Sequence, residues 1–144
     1  YCPSQSELDL APNASYLHYC SNNTIYGTQS YTPLTSDSPV ICDMSSDIFS
    51  RAIDRSKFDM VYAGAQKNMG PAGVTLVIVR NDILGKVERK IPSMMTYQIH
   101  INNKSMFNTP PVMSIYAVNR TLNWLKKIGG VKAMTKRNGK KRYT

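Results

Sequence analysis

The chain has 144 residues, which is the size of one domain, and 42% of them are apolar against 19% charged. That balance excludes a disordered or collagen-like chain, and no apolar run reaches the roughly 18 residues of a membrane helix. Net charge is +9, unevenly placed: residues 1–88 carry −3, whereas residues 89–144 carry 12 bases and no acid, or +12. Such asymmetry raises the question of a nucleic-acid or membrane partner. The preferred reading is a lopsided charge share within a larger protein.

The opening YCPSQSELDL has no basic flank and no apolar stretch, so it does not read as a signal peptide. Residues 1–13 read as an entry segment. Tyr16-Leu17-His18-Tyr19-Cys20 predicts a strand, followed by a polar loop from Ser21 to Thr32. Pro39-Val40-Ile41-Cys42-Asp43 predicts a short strand ending on a carboxylate. Asp59-Met60-Val61-Tyr62-Ala63-Gly64 predicts another, and Gly70-Pro71-Ala72-Gly73 a turn. Val74–Val79 is the strongest strand. It lacks polar alternation, which predicts burial on both faces. The two strands at 40–43 and 59–64 are expected to be parallel neighbours. Strand 74–79 is expected to run antiparallel, because the link before it is shorter than the dozen or so residues of a parallel crossover.

Helices are predicted near the end of the chain. Thr109 reads as an N-cap, with Pro110 and Pro111 in the first turn. Val112, Ile115, Tyr116, Leu122 and Leu125 then mark an apolar face, and Trp124 beside it is expected to pack. Gly129-Gly130 ends that helix. A second begins at Val131 and loses its apolar pattern after Met134; KRNGKKRYT has no periodicity. No linker divides the chain.

Cys2, Cys20 and Cys42 are too few and too scattered for a disulfide framework or a zinc site, and no metal site is expected. Cys20 and Cys42 each end an apolar stretch, which predicts buried thiols. Asn13, Asn22, Asn103 and Asn119 match the glycosylation pattern, but without a secretory signal the chain reads as cytoplasmic. His18 and His100 have no partner motif.

Three polar features lie at the ends of apolar strands: Asp43, Gln66-Lys67 and Asn22-Asn23-Thr24. Ligands of α/β sheets bind at the carboxyl ends of strands. A carboxylate, a lysine and a hydroxyl converging there suit pyridoxal phosphate, which needs a lysine for a Schiff base and an acid facing its pyridinium nitrogen. Taken singly, each residue fits a turn, a cap or a solvated surface equally well.

The string YAGAQKNMGPAGVTLVIVR, however, resembles the cofactor-lysine segment of the phosphoserine aminotransferase family, class V aminotransferases of fold type I. YLHYCSNNTIYGT resembles the family's threonine loop, VICDMSSDIFSRAID its aspartate strand, and SMFNTPP its Asn-Thr loop. LNWLKKIGGVKAM matches the helix that follows. The resemblance runs from about Tyr16 to Met134. It implies an α/β fold: a mostly parallel sheet with one antiparallel strand and helices packed on it. Residues 1–134 would be a portion of the cofactor-binding large domain, and 135–144 a divergent basic tail.

The resemblance also implies roles. Lys67 would carry the Schiff base and later move the substrate proton; Asp43 would pair with the pyridinium nitrogen. Thr24 would bond the ring-hydroxyl region, and Gln66 the cofactor phosphate. Asn108 and Thr109 would reach the phosphate of a neighbouring subunit's cofactor across a homodimer interface. The implied reaction exchanges an amino group between glutamate and 3-phosphohydroxypyruvate, in serine and also pyridoxine biosynthesis. The family's stacking aromatic, phosphate loop and substrate arginines have no counterpart in this sequence, so the isolated chain is expected to be inactive. Against this stand two rival readings: an inactive remnant that only pairs with other chains, and a basic nucleic-acid-binding module, for which residues 89–144 offer no binding motif.

Overall fold

The computed structural model describes residues 1–141; Arg142, Tyr143 and Thr144, the last residues of the basic tail, lie outside the described residues. Four short stretches rich in β-branched and aromatic residues form one sheet: β1 (Leu17–Cys20), β4 (Val40–Asp43), β5 (Met60–Gly64) and β6 (Thr75–Val79), in the order β1-β4-β5-β6. The first two pairs are parallel, with Cys20 opposite Asp43 and Asp43 opposite Tyr62. Their carboxyl ends therefore lie side by side. β6 runs antiparallel to β5, as the short link predicts, with Gly64 opposite Thr75.

That link is a one-turn helix, α1 (Ala65–Asn68), and a glycine turn. Ala65 ties the link at both ends: its N–H reaches the Val74 carbonyl at 2.9 Å, and its own carbonyl accepts from Met69 and Gly70 at 3.0 and 2.8 Å. Gly73 sits at φ 107°, a conformation open to glycine and costly for residues with a Cβ.

Sheet residues alternate between two faces. Val40, Cys42, Val61 and Ala63 face one way and are buried with Met44, Ile48, Phe58 and Met69. His18, Cys20, Asp43 and Tyr62 share the other face by register. That second face is only partly covered: His18 and Cys20 are exposed, and Tyr62 is half-buried. The expected burial of Cys20 thus fails, while Cys42 is fully enclosed. The reason is parity, since Cys20 ends β1 on the open face and Cys42 lies on the packed one. β6 departs from its prediction as well. As the edge strand it leaves Ile78 44% exposed, because an unbroken apolar run does not tell an edge from a centre.

The polar loop after β1 contains a small hairpin, β2 (Asn22–Asn23) with β3 (Thr28–Gln29). Asn23 Oδ1 accepts from the Ile25 and Tyr26 amides at 3.0 and 3.1 Å, an Asx turn, and Gly27 at φ 65° completes the reversal.

Past a short helix α2 (Tyr97–Asn102), the long helix α3 spans Val112–Lys127, with Pro111 as N-cap. Thr109 is not the cap. Each residue before a proline is pushed out of helical geometry, so Thr109 and Pro110 stay outside the helix, which starts at Val112. α3 meets the core at Val118, which approaches Gly70 so closely that a Cβ there would stand 3.0 Å from its Cγ2. Leu125 is buried, but Val112, Ile115 and Tyr116 are exposed and Trp124 remains 45% exposed. The apolar stripe is therefore covered over its second half only. α4 (Gly130–Lys141) follows Gly129 at φ 100°. It continues helically beyond Met134, where the sequence pattern had stopped, and Asn138 donates to the Ser50 carbonyl at 3.1 Å.

Candidate active site

The carboxyl ends of β1, β4 and β5 deliver three short segments to one edge of the sheet. From the hairpin comes Thr24, from the turn after β4 come Asp43, Ser45 and Ser46, and from α1 comes Lys67. Lys67 Nζ donates to Thr24 Oγ1 at 2.6 Å and to Ser46 Oγ at 3.1 Å. The two hydroxyls bond each other at 2.7 Å. These residues are 21 and 43 positions apart from the lysine, so the sheet alone brings them together.

Asp43 is held by its own turn. Its Oδ1 accepts from the Ser45 amide at 2.8 Å and from Ser45 Oγ at 2.6 Å. Ser45 Oγ in turn accepts from the Gly64 amide at 2.9 Å, which locks the end of β4 to the residue that opens the lysine helix. Oδ2 faces Cys20 Sγ at 3.9 Å. Among the described residues no cation lies within ion-pair distance of Asp43, and no carboxylate within that distance of Lys67. A lysine satisfied by neutral hydroxyls thus shares a site with a carboxylate satisfied by a serine. Both opposite charges are left for a third group.

The carboxylate shows its sign on its neighbours. Burial first, then the negative charge of Asp43, pushes up the thiol of Cys20; Lys67 opposes this. The phenol of Tyr62 moves up for the same two reasons in the same order, and its hydroxyl lies 3.0 Å from His18 Nε2. Cys42, on the packed face, is pushed up to about 11 by burial. At pH 8 iodoacetamide is therefore expected to label Cys20 and to spare Cys42 until the protein unfolds. Asp43→Asn removes the repelling charge, lowers the Cys20 thiol, and should speed its labelling severalfold, read by peptide mapping. An unchanged rate would show that Asp43 does not face Cys20.

Gln66 is exposed, and its side chain lies over Gly64, where an added Cβ would meet its Oε1 at 2.6 Å. No hydrogen bond among the described residues joins it to Lys67 or Asp43. Asn108 and Thr109 are exposed on the segment before α3, and among the described residues Asn108 Nδ2 bonds only the Thr109 carbonyl, at 3.1 Å. The structure thus assembles Thr24, Asp43 and Lys67 and leaves Asn108 and Thr109 outside that cluster. Sequence reasoning missed Ser45 and Ser46. Ser45 had a signal: a serine two residues after an aspartate is the pattern of an Asx turn. Ser46 had none, because its partners, Thr24, Lys67 and the Asn22 carbonyl, lie far away in sequence.

Comparisons with known proteins identify the family. The family model described as aminotransferase class-V matches residues 1–144. A phosphoserine aminotransferase of Flavobacterium psychrophilum is 60% identical over 132 residues, covering 92% of this chain and 37% of that protein. The solved structure of the phosphoserine aminotransferase of Bacillus circulans subsp. alkalophilus superposes with a TM-score of 0.91 at 46% identity, over 98% of this chain and 39% of that one. A pyridoxal-phosphate-bound phosphoserine aminotransferase from Trichomonas vaginalis gives 0.87 at 38% identity, over 94% and 40%. The chain thus spans somewhat over a third of the length of the relatives it matches. A family model that covers the chain from end to end, together with a mostly parallel sheet carrying a lysine, an aspartate and a threonine at one edge, places it: the chain belongs to the class-V aminotransferase family.

Proposed function

We propose that this chain is a portion of the cofactor-binding large domain of a phosphoserine aminotransferase, with residues 1–134 in that domain and 135–144 a divergent basic tail. The observation that carries the reading is the hydroxyl-bound Lys67 in one cluster with the Asp43 carboxylate, which Ser45 holds and no described cation pairs. Pyridoxal phosphate fits these donors. Its aldehyde carbon requires an amine, its ring nitrogen a carboxylate, and its ring hydroxyl a donor such as Thr24. When bound, the cofactor supplies an electron sink for the charge that develops on the substrate's α carbon.

The chain's own residues then act as follows. Lys67 Nζ would hold the cofactor and, once freed by the incoming amine, would take the proton from the substrate's α carbon and deliver it to the carbon on the other side of the amino nitrogen. Thr24 and Ser46, whose hydroxyls also bond each other, hold that nitrogen from one side. Asp43 keeps a negative charge facing the ring nitrogen, and the Ser45 contacts fix the direction in which it faces. Gln66 binds the cofactor phosphate. Asn108 and Thr109, which lie outside the cluster, serve the phosphate of a second subunit's cofactor, so the working form is a homodimer.

The substrates are glutamate and 3-phosphohydroxypyruvate, the products phosphoserine and 2-oxoglutarate. The pathways are serine and pyridoxine biosynthesis, in the cytoplasm. None of the described helices is long and apolar enough to cross a membrane. The class-V assignment is the reason the basic stretch is not read as a nucleic-acid surface. The test is a full-length protein carrying this segment, made by grafting it into the matching third of a full-length relative. It should bind the cofactor, turn yellow, and convert glutamate and 3-phosphohydroxypyruvate. The 144-residue chain by itself should show little or no turnover under saturating cofactor. A colourless, inactive full-length protein would sink the reading.

A further inference from the structure

Asp47 is a charged residue that the chemistry above leaves idle, yet only 5% of it is exposed. Burying a carboxylate is costly unless it is paired and hydrogen-bonded, so its partners indicate its use. Oδ1 accepts from Ser21 Oγ at 2.5 Å. Oδ2 accepts from Gln29 Nε2 at 3.0 Å and faces the Arg51 guanidinium at 3.4 Å. Arg51 itself donates to the Ser30 carbonyl at 2.9 Å.

These partners have one thing in common. Ser21 leads into the β2–β3 hairpin, and Gln29 and Ser30 lead out of it. The Ser30 amide closes the same gate on the Ser21 carbonyl at 2.8 Å. Asp47 and Arg51 therefore grip both legs of the hairpin whose tip presents Thr24. Asp47 also directly follows Ser46, the other hydroxyl on Lys67. One buried carboxylate thus bonds both legs of the hairpin that carries Thr24 and adjoins Ser46 in the chain. Arg51 is held by this geometry at the expense of its Nε, which is buried without a hydrogen-bond partner among the described residues.

We infer that Asp47, acting with Arg51, is a positioning residue that clamps the threonine hairpin and so sets where the Thr24 hydroxyl meets Lys67. The clamp is a property of this chain's own side chains; its effect on cofactor binding rests on the function proposed above.

The test uses the full-length protein carrying this segment. Without cofactor, Asp47→Asn should speed amide exchange across residues 21–30 and leave residues 60–64 unchanged. With cofactor, it should raise the dissociation constant about ten- to hundredfold, as expected when a hydrogen bond to a charged group is lost. It should also shift the pH midpoint of the visible absorbance band. Thr24→Ala should shift that midpoint in the same direction, and the double variant T24A/D47N should go no further than T24A, because both changes empty the same position. Q29E/D47N should recover the D47N losses: the amide introduced at position 47 would still accept from Ser21 and would now donate to a carboxylate at position 29, which Arg51 can also meet. Unchanged exchange in D47N, or fully additive effects of T24A and D47N, would overturn the clamp. If D47N does not fold, Arg51→Lys, which loosens one arm only, is judged by the same readings. An unsubstituted protein that binds no cofactor would overturn the cofactor reading, and the exchange arm would still decide the clamp.

Discussion

Lys67→Ala in a full-length protein carrying this segment is expected to remove transamination and the yellow colour together while leaving the fold intact. The side chain is exposed, and alanine suits the one-turn helix it occupies. The helix keeps its anchor, since Ala65 is buried and its backbone bonds do not involve the lysine side chain. Thr24 and Ser46 lose a donor, but they still bond each other at 2.7 Å. Stability should therefore move by no more than about 0.5 kcal/mol, as for an ordinary surface change. Activity should fall by about 10²–10⁴-fold from the lost proton transfer alone, and further because no other amine is placed to bind the cofactor covalently. The measurement is turnover with glutamate and 3-phosphohydroxypyruvate beside a thermal melt. A variant that melts normally and retains a tenth of its turnover would remove Lys67 from the chemistry.

The second large effect belongs to Asp43. Asp43→Ala should leave cofactor binding partly intact, because Lys67, Thr24 and Gln66 remain, and lower turnover by about 10²–10³-fold, the scale on which one preorganised electrostatic partner acts. Alanine also frees the Ser45 amide and hydroxyl, so Asp43→Asn is the cleaner control. Asparagine can still accept from Ser45 and keep the turn, but it carries no charge to hold a proton on the ring nitrogen. Both variants falling together would assign the effect to the charge. Near-normal turnover in D43N, with a loss in D43A alone, would assign it to the turn.

How much of this was legible in the sequence follows from how far each signal reaches. The strands at Val40–Asp43 and Met60–Gly64, and the reversal into Thr75–Val79, were legible because their causes are local: β-branched runs, a glycine turn, and a link too short to cross over. Lys67 and Asp43 were singled out by the resemblance carried by YAGAQKNMGPAGVTLVIVR and VICDMSSDIFSRAID, since a strand-end position alone fits a turn or a solvated surface equally well. The hairpin that carries Thr24 was read only as a polar loop, since two-residue strands leave no periodicity to find. Ser46 and Asp47 escaped notice because, Arg51 apart, the partners that give them a role (Ser21, Thr24, Gln29 and Lys67) lie 18 to 26 residues away. The start of α3 was misplaced for a different reason. Thr109 has the chemistry of a cap, but two prolines in succession delay the helix to Val112. Its apolar stripe was read correctly as a pattern. A pattern states which side of a helix is apolar and not whether the same chain covers it, and Val112, Ile115 and Tyr116 are left bare.

The central claim is that one lysine, Lys67, is the residue to which the cofactor attaches, and it has a direct test. The full-length protein carrying this segment is loaded with pyridoxal phosphate, treated with borohydride to turn the lysine–cofactor linkage into a stable amine, digested, and mapped by mass. The account predicts a single modified peptide, the one containing AGAQKNMGPAG, with the added mass on Lys67. A label on any other lysine of this segment, or none at Lys67 in a protein that holds the cofactor, would contradict it.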